Sequence, residues 1–143
     1  MEIGTRVVAM SHIEDKDKKV YLFGVGTYAG EQIPMEACGQ IGTLFRIAKE
    51  VSPAIKLDSG PTIYGCECWW LEEPLAVQMI SEYAGKSYQI INVSIEEERK
   101  LWREREGEKA ERECREIYAS IKGVVERERQ KFKKDMADAE KSK

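Results

Sequence analysis

The sequence predicts an α+β protein: a small antiparallel β-sheet core with one short helix, followed by long charged C-terminal helices that mediate oligomerisation. Three observations carry this. All four prolines, every glycine except Gly107 and Gly123, and most β-branched and aromatic residues fall before residue 94. From 94 onward Glu, Arg and Lys dominate, with single apolar residues at helical spacing. At the change of composition stands Ser94-Ile-Glu-Glu97, a capping box in which hydroxyl and carboxylate satisfy opposite backbone N–H groups at a helix start.

The elements follow in order. "TRVVAM" and "KKVYLFGVG" are β-rich runs, predicting strands near 5–11 and 18–26, and the charged "SHIEDKDK" between them suits a hairpin loop. "GTYAGEQIP" has the glycine punctuation of a loop. "AIKLDSGPTIYGCEC" reads as a second hairpin turning at Asp58-Ser59-Gly60-Pro61, with Cys66 and Cys68 on one strand face and Glu67 free to point to solvent. Pro74 suits the first turn of a short helix and Gly85 its C-terminal cap. "SYQIINVS" supplies one more strand. Beyond it, Ala110, Cys114, Ile117, Ile121 and Val124 repeat at spacings of 4, 3, 4 and 3, a narrow apolar stripe with the seam geometry that pairs helices. Gly107 and Gly123 each cost about 1 kcal/mol in a helix interior, so two helices meeting near Gly107 are as compatible with the pattern as one. The expected organisation is a β-rich core over 1–93, a helical segment over 94–135 packed on the core and on a partner chain, and a frayed tail over 136–143.

A formal net charge of -3 disfavours general nucleic-acid affinity, which needs a basic face to release counterions. The opening "MEIGTRVV" lacks a basic start followed by an apolar core, and no run of 18 apolar residues occurs. The expectation is a cytosolic protein with reduced thiols.

Chemistry is sparse. Cys66-x-Cys68 is half a zinc site without a paired partner, so no metal is expected. The single histidine, His12, sits in a charged loop and gives no nucleophile-base pair. Glu67, Glu72 and Glu73 could act as acid or base, but no catalytic residue, phosphate-binding loop or dinucleotide fingerprint emerges, and no cofactor is expected. Binding fits the residue types better. Trp69, Trp70, Tyr83 and Tyr88 can brace a core or stack on a base. Asn92, at a strand end, can read a base edge or ribose, or serve a turn. The helix arginines Arg99, Arg103, Arg112 and Arg115 can pair with glutamates a turn away or grip phosphate with their planar forks.

The blocks "KVYLFGVGTYAGEQIP", "IKLDSGPTIYGCECWW" and "IINVSI", with the proline-headed helix and charged tail, resemble the first type of phage Thoeris anti-defence sponge proteins over residues 1 to about 125. The resemblance implies a non-catalytic dimer, or a hexamer built as a trimer of dimers, in the cytoplasm of the infected bacterial host. It implies that glyco-cyclic ADP-ribose signals are bound and sequestered without degradation, and that cyclic di- or trinucleotides are held at a separate site in some members. By motif position it implies Asn92 as a ligand contact and Tyr83 as the base-stacking aromatic. Lys56 stands where an arginine would be expected, and Arg99, Arg103, Arg112 and Arg115 are candidates for phosphate. A small oligomeric structural or adaptor protein, and a hydrolase of the same signal, are the rival expectations.

Overall fold

The structure, a computed structural model, describes residues 1–141. Strands β1 (Arg6–Glu14) and β2 (Lys19–Gln32) form a long hairpin, followed by helix α1 (Gly39–Ala48) and strands β3 (Ser52–Leu57) and β4 (Thr62–Tyr64). A 3-10 turn at Gly65–Glu67 leads into β5 (Trp69–Glu72), helix α2 (Glu73–Gly85), β6 (Gln89–Asn92) and helix α3 (Ile95–Lys141). One six-stranded sheet runs β4-β3-β2-β1-β5 with antiparallel pairings, and β6 lies parallel to the first residues of β2. The α+β class expected from the sequence is the class observed.

Period-two alternation divides the sheet into two apolar faces. Val7, Ala9, Phe23, Ile55, Leu57 and Ile63 form one, closed by Ile95 at the start of α3 and by Trp70. Val8, Met10, Val20 and Leu22 form the other, covered by Ala76 of α2. A bulge lets β2 serve both: Met10 pairs with Leu22 but Ala9 pairs with Gly24, so Phe23 is the extra residue. Gly24 takes φ 130 there, a conformation that side chains oppose.

Two expectations are corrected, and one helix is added. The segment read as the loop "GTYAGEQIP" is strand as far as Gln32, because Tyr28, Glu31 and Gln32 pair with β3 on either side of a bulge and Tyr28 and Gly30 are buried. Helix α1 lies in a stretch to which the sequence assigned no element. It holds because it packs on α3, and Gly42 is required there: a Cβ would stand 2.8 Å from the Ala37 Cβ. Cys66 does not lie in a strand with Cys68, because the chain tightens into the 3-10 turn between Tyr64 and Cys68.

Helix α3 is continuous through both Gly107 and Gly123 and extends past residue 135 to Lys141. Residues 142 and 143, the end of the expected frayed tail, lie outside the described residues. The apolar stripe splits in two. Ala110 and Cys114 are buried where α3 meets α1, and the Cys114 thiol donates to the Gln40 carbonyl at 3.4 Å. Ile117, Ile121 and Val124 are exposed, as are Val125, Phe132 and Met136. Ala110, Ile121 and Phe132 stand eleven residues apart, as do Cys114, Val125 and Met136. An eleven-residue period is 3.67 residues per turn, close to that of a straight helix, so the stripe stays on one side for its whole length. No helix among the described residues is long and apolar enough to cross a membrane.

Candidate functional site

Two places combine shape with chemistry: a buried ion pair beneath α3, and a cleft at the end of β6.

Glu67, expected at the surface, is the centre of the first. Its side chain is 0 % exposed, placed inward by the 3-10 turn. Four donors reach its carboxylate: Arg99 Nε at 2.9 Å, Arg99 Nη2 at 2.6 Å, the Cys38 N–H at 3.0 Å and the Tyr64 N–H at 3.1 Å. Arg99 Nη2 also donates to the Thr62 carbonyl at 2.8 Å, and the guanidinium lies over the Tyr64 ring, 5.8 Å from its centroid. Burial opposes the charge on Arg99, but the hydrogen bonds and charge of Glu67 outweigh it and hold the arginine's proton more tightly than usual. The arrangement ties the loop before α1, the β4 end and the first turns of α3 to one carboxylate. Such a pair fixes geometry; its donors are spent inside the protein.

Three thiols surround this pair. Burial, and then the charge of Glu67, pushes the Cys38 thiol up to about 12, and the same causes push Cys68 up to about 12. Burial raises Cys66 as well. These are inert, protonated cysteines, and no group of three or more potential metal ligands gathers among the described residues.

The second place is a cleft of about 730 Å³ between the β3–β4 turn, α2 and the end of β6, lined by Leu22, Val25, Ser59, Val77, Ile80 and Asn92. Asn92 ends β6 with its side chain exposed, and its amide has no hydrogen-bond partner among the described residues. Asp58 and Glu96 stand at the rim. Asp58 is paired with Arg6 at 2.6 Å, which holds its carboxyl below the usual range; Arg6 also lies 3.4 Å from Glu73. No lysine or arginine lines the cleft among the described residues.

The other expected site residues are dispersed. Lys56 donates to the Gly60 carbonyl and so braces the turn that forms one wall. Tyr83 packs into the second core beside Met79, edge-on to Tyr88 with ring centroids 5.0 Å apart, and Ile80 rather than Tyr83 faces the cleft. Arg99 is committed to Glu67. Arg103 borders a separate cleft of about 490 Å³ with Arg46 and Trp102, where Arg46 pairs with Glu111 to clamp α1 on α3. Arg115 pairs with Glu111 at 2.7 Å, and Arg112 is exposed. Within one chain, Asn92 comes together with the turn braced by Lys56, and Arg99 with Arg103 at a separate cleft that Glu36, Glu96 and Glu97 also line.

Of the two adjacent tryptophans, Trp70 packs against the first core, whereas Trp69 is 76 % exposed. Comparison with protein-family models, curated protein sequences and solved structures returned no match.

Proposed function

We propose that the chain is a phage anti-defence sponge of the Thoeris type: it binds glyco-cyclic ADP-ribose signals in the host cytoplasm and withholds them, unaltered, from the immune effector. The observation that carries this reading is the cleft beside Asn92. Its volume suits a ligand of nucleotide size. Its walls are largely apolar, and Asn92 among them presents a carboxamide without a partner among the described residues, a group that can donate and accept at a base edge or ribose.

The rim of a single chain is acidic, so a pyrophosphate needs cations from elsewhere. The middle of α3 offers them: Arg112 and Arg115 stand just before the apolar stripe that begins at Ile117 and is exposed among the described residues. On this reading α3 pairs with α3 of another copy, and the dimer, or a trimer of such dimers, brings arginines over the partner's cleft. Arginine suits the task because its fork donates two parallel bonds to phosphate oxygens. Cyclic di- or trinucleotides would occupy a different site of the same assembly.

The test is calorimetric titration with cyclic ADP-ribose isomers, followed by heat release and mass analysis of the ligand. Tight binding with intact recovery is expected. Asn92→Ala, at an exposed position, should leave thermal stability unchanged while weakening binding at least about tenfold. A chemically altered ligand would establish a hydrolase instead. Retained self-association with no binding of any isomer would leave the oligomeric scaffold.

A further inference from the structure

Strand β5 is an outer strand of the sheet. It pairs with β1 on one side and with no strand on the other among the described residues. In an antiparallel ladder alternate residues direct N–H and C=O to the same side, so part of β5 presents unpaired backbone groups outward. On this edge stands Trp69, 76 % exposed. Next to it is an apolar groove of about 350 Å³ walled by Met10, Ile13, Trp69, Leu71 and Met79, with no lysine, arginine or carboxylate among its lining residues.

The register explains why they are neighbours. Trp69 lies opposite Met10 and Leu71 opposite Val8, both in the core that α2 covers, whereas Trp70 lies opposite Ala9 in the other core. Trp69 and Leu71 therefore share a face, and the groove is the corner of that face which α2 leaves bare.

We propose that β5 is a homotypic interface: two copies add their β5 strands edge to edge, antiparallel about a two-fold axis, each Trp69 seating in the groove of the other. A two-fold interface requires a patch that carries both the protruding group and its receptor, and here Trp69 of β5 stands beside a groove that Leu71 shares with Met10 and Ile13 of β1 and Met79 of α2. An axis normal to the sheet pairs only residues of equal parity, since opposed residues must share a face. The register centred on Trp70 sets Trp69 against Leu71 of the second copy and Glu72 against Cys68, so no carboxylates oppose one another. Indole anchors in apolar pockets, with main-chain bonds alongside, are the usual centre of such contacts. This interface is separate from the α3 pairing of the proposed function.

The test is sedimentation velocity on the full chain carrying Ile121→Glu and Val125→Glu, which disable the α3 stripe, over a wide concentration series. A concentration-dependent dimer is expected. Trp69→Lys should weaken it about tenfold or more, Trp69→Phe much less, and because Trp69 is exposed neither change removes core packing. Amide exchange at residues 69–72 should slow as the dimer forms. A chain that stays monomeric at its solubility limit overturns the proposal, as does a dimer that Trp69→Lys leaves intact. Neither result bears on ligand binding at Asn92, which calorimetry reads separately.

Discussion

Replacing Arg99 with methionine tests the buried pair most directly. Methionine keeps the apolar stem that packs against the sheet but removes Nε and Nη2, the two donors at 2.9 and 2.6 Å. Glu67 then keeps only the Cys38 and Tyr64 N–H groups, and the Thr62 carbonyl loses its donor. Two charge-assisted bonds at about 1.5–3 kcal/mol each bracket the loss, and breaking one side of a buried ion pair costs about 3–5 kcal/mol. Against a total stability of about 5–15 kcal/mol for an ordinary domain, that is a large fraction. Urea unfolding followed by tryptophan fluorescence reads it, since Trp70 packs on the core and Trp102 is partly buried on α3. The double variant Glu67→Gln with Arg99→Met should be less damaging than the sum of the singles by about 2 kcal/mol, because it leaves no unpaired buried charge, although the single amide oxygen can accept from only one of the two backbone N–H groups, which reach different oxygens of Glu67. A single Arg99→Met variant within about 1 kcal/mol of the parent, or strictly additive singles, would refute the view that this pair holds α3 to the sheet.

Two glycines should respond with opposite signs. At Gly26 a Cβ would stand 2.5 Å from the Lys56 carbonyl oxygen and 3.0 Å from the Leu57 Cα, both backbone, so Gly26→Ala should destabilise by about 3 kcal/mol or fail to fold. At Gly107 a Cβ meets only the Arg103 Cβ, at 3.7 Å, and Gly107→Ala should stabilise by about 1 kcal/mol; thermal melts compare the pair. Stability should also fall on the alkaline side. Cys38 and Cys68 are pushed from the ordinary 9.0 to about 12 by burial and then by Glu67, so the unfolded chain loses these protons first. It binds fewer protons than the folded chain above pH 9, and stability declines as pH rises from about 9 to 12. Serine at both positions should flatten that limb in denaturation at stepped pH.

What could be read without coordinates depended on how local the signal was. The Asp58–Pro61 turn, the proline-headed helix and the Ser94 start of α3 are written in neighbouring residues, and each stands where it was expected, with Ser94 Oγ accepting from the Glu97 N–H at 3.3 Å. The first hairpin is present too, but its strands continue to Glu14 and Gln32, through residues read as loop that include His12. Helix α1 was hidden because its stability comes from α3, distant in sequence, rather than from its own propensity. Glu67 escaped for a related reason: its flanking cysteines suggested strand alternation, and its partner Arg99 looked like one more arginine in a solvated run. An arginine four residues after Ile95, on the buried side of the first turn of α3, was the available clue. Asn92 was legible as a strand-end carboxamide, but the acidic rim of its cleft depends on a turn and a helix start that only the fold brings together.

Helix α3 gives the molecule two stabilities in place of one. At about 1.5 Å per residue its 47 residues span about 70 Å, nearly twice the diameter expected of a globule of this chain length. Its first part is bound to the sheet through Ile95 and Arg99 and to α1 through Ala110 and Cys114. Beyond Cys114 a further stretch of helix leaves the body and relies on its own propensity and side-chain pairs, such as Gln130 with Glu126 at 3.1 Å. Substitutions there should be silent in an assay of core unfolding, yet they alter an exposed apolar surface. The handle can thus change its sequence under constraints that the head does not share.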